Sequence, residues 1–381
     1  MIYSDFGKTG AKVSAVGFGG MRFDTKNKSN EENAELLTYA VDKGINYLDT
    51  APGYCDDKSE DIYGLAIKEM ADKRDQFYVT TKGMPATYDT ADKAREAVEK
   101  SLKRLNTDYI DFYHVWCIRR MSEYELAMKP GGQYEGLLKA KEEGLIKNIV
   151  ISSHLRGDHI AQIMKKKEYE AVLLGLNILN FMYRWEGVQK AHDLGYGVVA
   201  MNPLSGGLIP KHEKEFSFLG EEGESATEAA LRFIISCPQV NVALVGFENK
   251  EHIDMACRVA DQAKSFTEED IERVKANLSD HMNSLCTGCN YCMAGVCPQN
   301  IPIASYMQYY NDKPLFGKDE QEMKKKLKFE LEWGRLAEKV SRAKDCIECA
   351  KCEQVCTQHL DIMNRLAEIA EWRTNLPEDD N

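Results

Sequence analysis

Two short cysteine runs near the end of the chain restrict its possible folds more than any other feature. The first, CTGCNYCMAGVCPQN, spaces its cysteines as Cys286-x2-Cys289-x2-Cys292-x4-Cys297, and the second reads Cys346-x2-Cys349-x2-Cys352-x3-Cys356. Eight of the twelve cysteines in the chain lie in these runs. The opening sequence, MIYSDFGKTGAKVSAVGFGG, lacks a basic segment followed by an apolar stretch, so no export signal is expected. Clustered spacing without export points to metal rather than to disulfides. Zinc also takes four thiolates, but it usually sits between two C-x2-C pairs. Here three cysteines follow one another at i, i+3 and i+6, twice over, which is the spacing that wraps a [4Fe–4S] cubane. A segment committed to such clusters folds around them, and the residues before Cys286 must build a core of their own.

That earlier part alternates. Apolar strands are expected at 13–18, 45–49, 77–81, 109–115, 149–152, 171–176, 197–201 and 242–245. Amphipathic helices are expected between and after them, at 31–43, 61–71, 91–105, 133–143, 158–166, 184–194, 226–236 and 250–260. Eight strand–helix units over roughly 250 residues is the size of a (β/α)8 TIM barrel. A doubly wound sheet shares the alternation and is the rival. Gly17-x-Gly19-Gly20 follows a strand but lacks the third glycine of a dinucleotide fingerprint, and the polar stretch FDTKNKSNEEN delays the next helix. A Rossmann reading is therefore rejected. The expected organisation is a barrel over residues 1–262 and a mostly helical domain over 263–381.

Charge and hydropathy exclude some partners. The net charge of −12 argues against nucleic acid, whose phosphates demand a basic face. No apolar run reaches membrane-spanning length, and with no export signal the expected location is the cytoplasm.

The cysteine-rich segment resembles the two-cluster, largely helical ferredoxin-like domains appended to redox enzymes. In such domains the fourth cysteine of each run serves the other cluster. The resemblance therefore implies two [4Fe–4S] clusters. One would be held by Cys286, Cys289, Cys292 and Cys356, the other by Cys346, Cys349, Cys352 and Cys297. Two departures are visible. The first run has four residues before its last cysteine, and Thr357 stands where proline usually follows Cys356.

The stretch INYLDTAPGYCDDKSEDIYG resembles the signature of the aldo-keto reductases, with an aspartate ending the second strand and a tyrosine five residues on. FYVTTKG, FGKTGAKVSAVGFGG, IVISSH and VVAMNPLSGGL match the same family, and the last is similar to the branch with a C-terminal iron–sulfur domain. The resemblance implies that Tyr54 is the acid/base, supported by Lys82 and Asp49. Carbonyl reduction needs a hydride and a proton, and a tyrosine near its ordinary pKa is a poor acid at neutral pH. A nearby ammonium lowers that pKa, and a carboxylate holds the ammonium in place. The catalytic histidine of the family would fall at position 116, which holds Trp116, while His114 lies two residues earlier. Both residues are expected on one side of the strand. His114 is thus either a fourth catalytic residue one layer deeper or a core histidine, and Trp116 narrows the pocket and offers a stacking surface.

For the cofactor, the resemblance places a nicotinamide near Gly20, Ser152, Ser153, Asn177 and Met201. Its phosphates would lie over Pro203, Leu204, Ser205 and Gly207 and over Gly246 and Asn249. Glu248 is acidic where NADP-binding relatives tend to be basic or neutral, and Ala256 replaces the usual adenine-binding asparagine, so NADP and NAD both stay open. Arg22, Arg119, Arg120 and Arg184 follow strands and either hold an anionic substrate or serve the surface and helix packing.

A nicotinamide passes two electrons together, whereas each cluster passes one. Three readings follow. The chain is an oxidoreductase acting on a carbonyl or conjugated small molecule, with clusters relaying electrons from a partner such as a ferredoxin- or flavodoxin-like carrier. Alternatively FMN bridges the two chemistries, or the clusters are structural in a sensing or binding module. The oligomeric state is left open.

Overall fold

In the computed structural model, residues 1–281, 285, 286, 288, 290, 292, 293, 295–337, 341–356 and 358–373 are described. A short antiparallel hairpin, β1 (Tyr3–Asp5) and β2 (Lys12–Ser14), comes first. The strand expected at 13–18 is in fact divided, because Ala15 separates β2 from β3 (Val16–Gly19). The hairpin carries Phe6, fully buried and edge-on to the rings of Tyr47 and Phe112 at 5.7 and 5.0 Å. Gly197 opens its strand against Phe6, where a Cβ would fall 2.4 Å from that ring. Phe6 therefore plugs the N-terminal end of the strands that follow.

From β3 the chain repeats strand and helix. The further strands are β4 (Tyr47–Asp49), β5 (Tyr78–Gly83), β6 (Ile110–Ile118), β7 (Ile146–Ser153), β8 (Ala171–Gly175), β9 (Gly197–Met201) and β10 (Val242–Val245). Each pairs in parallel with its neighbours in sequence, and β10 pairs with β3 to close an eight-stranded barrel. The doubly wound alternative falls with that closure. Most strand residues are buried, as expected when helices cover the outside and side chains fill the inside.

The helices begin where local chemistry stops the strands. Ser29 and Glu32 form a reciprocal capping box at Asn30–Asp42, as do Ser225 and Glu228 at Ala226–Ser236. Among the barrel helices of eight residues or more, one was not expected, Met121–Met128; it buries only Tyr124 and Ala127, so its sequence carries little period.

The chain divides into two compact units. One comprises Met1–Ser153, Gly157–Ile178 and Gly187–Phe266; the other comprises His154–Arg156, Leu179–Glu186 and the residues from Thr267 onward. In the second unit the helices Ile303–Tyr310, Glu320–Glu332 and Ile362–Arg373 share a core of Met307, Tyr309, Met323, Leu327, Leu366 and Trp372. Trp372 stacks on Tyr310 at 5.9 Å. The helix Glu320–Glu332 stops before Gly334, where a Cβ would meet Glu330 Oε2 at 2.2 Å. Glu330 itself is buried and paired with Arg335 at 2.9 Å. Burial opposes its charge, yet Arg335 and Lys326 hold the carboxyl down at about 2. Among the described residues no helix is long and apolar enough to cross a membrane.

Candidate functional site

At the C-terminal ends of β4 and β5, three side chains come together. Asp49 closes β4, and Lys82 lies one residue from the end of β5; both are almost fully buried. Lys82 Nζ donates to Asp49 Oδ2 at 2.5 Å and to the Thr50 carbonyl at 2.8 Å. The other carboxylate oxygen of Asp49 accepts from Thr80 Oγ1 at 2.5 Å. Lys82 Nζ also sits 5.3 Å from the centre of the half-buried Tyr54 ring. The Tyr54 hydroxyl has no hydrogen-bond partner among the described residues, which leaves it available to a bound molecule.

The electrostatics differ from the expectation. Burial raises the Tyr54 phenol well above its ordinary value of 10.0, and the Asp49 charge adds to that. Burial pulls the Lys82 ammonium below its ordinary value, with Asp49 opposing. The hydrogen bonds of Lys82 go to Asp49 and the Thr50 carbonyl, and what its charge offers the nearby phenol does not overcome burial. Tyr54 is held as a neutral O–H.

The loop that presents Tyr54 is strained and braced. Gly53, Cys55, Asp56 and Asp57 all have left-handed backbones, with φ of 80°, 54°, 55° and 63°. For L-residues that conformation costs roughly 1–2 kcal/mol each. Asp57 Oδ1 offsets it by accepting from Gly53 N at 2.9 Å and from Arg104 Nη1 at 2.7 Å, and Arg104 also bonds the Asp57 carbonyl and Asp61.

His114 pairs in register with Lys82 and is fully buried. Its Nε2 is 3.9 Å from Asp49 Oδ1, and neither ring nitrogen has a hydrogen-bond partner among the described residues. Burial, aided by the Lys82 charge, depresses its pKa well below 6.5, so the ring is neutral. Trp116, one layer above, meets Tyr54 edge-on at 5.5 Å. A bulge follows immediately, with Cys117 at φ 65° and the β6–β7 register shifting between Val115 and Ile118. Burial pushes the Cys117 thiol up to about 11, so it is inert.

The residues expected around a nicotinamide occupy strand ends and loops of the same barrel. Ser152 and Ser153 end β7, and Asn177 follows β8; all three are buried. Ser152 Oγ is buried without a hydrogen-bond partner, a polar atom that fits a carboxamide. Ser153 Oγ donates to the Ile118 carbonyl at 3.3 Å, and Asn177 Nδ2 to that of Asn202 at 3.3 Å. Met201 ends β9, half-buried, and leads into Pro203 and Leu204. Beyond them Ser205, Gly206 and Gly207 are left-handed. Asn249 caps the helix Lys250–Gln262 by accepting from His252 N at 2.8 Å. Gly20 serves packing: a Cβ would fall 2.5 Å from Ser59 Oγ. Gly246 likewise makes room for the Arg22 side chain.

Of the arginines weighed as anion ligands, Arg119 contacts Glu123 at 2.5 Å, and Arg120 Nη1 lies 3.6 Å from the same residue. Buried Arg184 bonds the His154 and Leu155 carbonyls. Thr80 was missed, although its place two residues before Lys82 puts both on one face of β5.

In the second unit, a largely apolar cavity is lined by Cys297, Cys346, Cys349 and Cys352, together with Ile303, Ile347, Met363 and Leu366. Cys297 thus joins the three thiols of the other run. Cys286, Cys292 and Cys352 are buried in one core, against which Cys297, Cys346 and Cys356 pack; Cys289 and Thr357 lie outside the described residues. Asn311 clamps Cys286 at both its N–H and its carbonyl, each at 2.7 Å. The two runs repeat their backbone. Gly288 and Glu348, Asn290 and Ala350, and Asn300 and His359 are left-handed at matching places, the last pair offset by the extra residue of the first run. Among the described residues no three Cys, His, Asp or Glu side chains converge as around a single ion. Thiols set around the walls of an apolar cavity are the donor set that a cluster with iron at its corners asks for.

Residues 15–278 match the model of the aldo/keto reductase family, and residues 285–360 match that of the 4Fe-4S dicluster domain. An uncharacterized oxidoreductase of Bacillus subtilis, YqkF, is 28% identical over 71% of this chain and 94% of its own length. L-galactose dehydrogenase of Arabidopsis thaliana is 25% identical over 73% of this chain and 94% of its own. A solved aldo-keto reductase from Klebsiella pneumoniae, in complex with NADPH, shares the fold with a TM-score of 0.59 at 20% identity, over 72% of this chain and 95% of that one.

Proposed function

We propose, from the premise that this chain belongs to the aldo/keto reductase family and carries a 4Fe-4S dicluster domain, that it reduces a carbonyl or conjugated small molecule. Tyr54 is the proton donor. The observation that carries this reading is the buried Lys82, bound to Asp49 and lying beside the Tyr54 ring. Reduced nicotinamide, when bound, supplies a hydride, and the clusters supply single electrons. Ser152, Ser153, Asn177 and Met201 hold the nicotinamide end, and the loops at 203–207 and 245–250 hold the phosphates. NADP is the first cofactor to test, NAD the second and FMN the third. As hydride reaches carbon, Tyr54 gives its proton to the developing alkoxide oxygen, so carbonyl, hydride and proton balance as an alcohol. Lys82 stabilises the phenolate left behind, and Asp49 with Thr80 fixes Lys82. Trp116 forms a flat wall beside Tyr54 and excludes water.

The test is an anaerobic titration of the cluster-replete protein with NADPH and then NADH, following the visible iron–sulfur absorbance. Bleaching would place nicotinamide and clusters in one circuit, and because a hydride must be split into single electrons to reach a cluster, a flavin band should accompany it and identify FMN as the bridge. Clusters reduced by dithionite but by neither nucleotide overturn the shared circuit and leave an external carrier as the electron source.

The ligand exchange between runs carries its own prediction. Cys297→Ser is expected to lose the cluster of Cys346, Cys349 and Cys352 while the other persists, read as halved iron content and one remaining electron paramagnetic resonance signal on reduction. Loss of the opposite cluster alone would show that the fourth ligands do not cross.

A further inference from the structure

Arg22 is the cation that the catalytic set does not use. It follows β3 at the C-terminal mouth of the barrel, exposed, in a chain of net charge −12. It makes no ion pair among the described residues. Its guanidinium instead donates to the carbonyl of Gly206 at 3.0 Å, in the loop after β9. Its stem passes over Gly246 in the loop after β10, where a Cβ would fall 2.4 Å from Arg22 Cγ. Any side chain at position 246 would displace it. The same segment is tied down a second time by Lys28, whose Nζ donates to the Glu248 carbonyl at 3.2 Å.

The two loops that Arg22 joins are the ones assigned to the cofactor phosphates. The first, PLSGG, has no charged side chain, and the second, VGFENK, carries one acidic and one basic side chain, Glu248 and Lys250. The N–H groups of Ser205 and Gly207 already donate to the carbonyls of Asn202 and Leu204, so this left-handed turn has little backbone to offer an anion and a diphosphate there asks for a cation nearby. A guanidinium answers that need with a planar fork that matches phosphate oxygens, and one bonded only to a carbonyl is free to turn to them.

We infer that Arg22 grips the diphosphate of a dinucleotide cofactor laid across the barrel mouth and draws the loops after β9 and β10 together over it. The inference rests on the reading that a nicotinamide dinucleotide is the cofactor. It gives that cofactor a clamp from the loop after β3, the strand that pairs with β10.

The experiment is equilibrium binding of NADPH, NADH and adenosine 2′-monophosphate to the cluster-replete wild type, R22A and R22K. Both dinucleotides carry the diphosphate, so R22A is expected to weaken both by the same factor, roughly tenfold to a hundredfold. Adenosine 2′-monophosphate binding is expected to stay unchanged, and R22K to recover part of the loss. Unchanged dinucleotide binding in R22A overturns the inference while leaving the cofactor reading intact. So does a loss confined to NADPH, which moves the contact to the 2′-phosphate, or a loss confined to the KM of an acidic substrate. Wild-type protein that binds neither dinucleotide overturns the cofactor reading and the inference together.

Discussion

Tyr54→Phe is expected to abolish most turnover, by roughly 10²- to 10⁴-fold, while nucleotide affinity and both clusters are retained. The variant removes one oxygen from a side chain whose ring already packs edge-on against Trp116, so the wall of the pocket survives. What is lost is the proton for the developing alkoxide. The assay is NAD(P)H oxidation against a panel of reactive aldehydes and o-quinones, paired with nucleotide binding and cluster absorbance on the same preparation. Turnover equal to the wild type would move the chemistry to another donor, His114 being the next one in reach of Asp49. The pH dependence adds a second reading. Burial holds the Tyr54 phenol well above 10.0, so the donor remains protonated throughout the neutral and mildly alkaline range. Between pH 7 and 9 turnover should show no fall caused by loss of that proton. The alkoxide, far more basic than the phenol, can still draw it away.

Lys82→Met is expected to cost both stability and turnover. The ammonium is buried against Asp49, and removing it leaves a carboxylate in the barrel with Thr80 as its remaining side-chain donor. Breaking a buried pair from one side destabilises by about 3–5 kcal/mol, a fall of roughly 10 °C or more in the unfolding midpoint. Asp49→Asn in the same chain removes the stranded charge and should restore much of that midpoint. It should restore none of the turnover, because the phenolate still lacks its cation. A double variant as inactive as Lys82→Met yet nearly as stable as wild type separates the two roles; one that stays unstable would show that Lys82 acts through packing alone.

The eightfold alternation and the cysteine spacing were legible because they are periodic. Val242–Val245 was read to the residue, as were Ala91–Leu105 and Ala226–Ser236, whose caps and amphipathic faces agree. The division between β2 and β3 was not legible, because Val13 to Phe18 reads as one strand and only pairing to different partners separates the two. Around Asp49, the motif gave the three charged and phenolic groups but not their wiring. That Lys82 spends its hydrogen bonds on Asp49 and the Thr50 carbonyl, rather than lowering the Tyr54 pKa, depends on distances that spacing does not carry. The left-handed turn at Cys55–Asp57 was equally hidden, since no glycine marks those three positions. Nor does sequence tell that Arg22, more than 180 residues away, meets Gly206.

The meeting of Cys297 with Cys346, Cys349 and Cys352 in one cavity has a consequence for biosynthesis. A chain emerging from the ribosome presents the first run complete, four thiols within twelve residues, long before the second exists. If fourth ligands cross, neither cluster can be finished from that run: one waits for Cys352 and the other for Cys356, both more than fifty residues beyond Cys297. Iron insertion is then finished only once both runs are present, and the two loadings are interdependent, because each run stays open at one corner until its partner is in place. A protein truncated just before Cys346 would keep its barrel and forfeit both clusters at once.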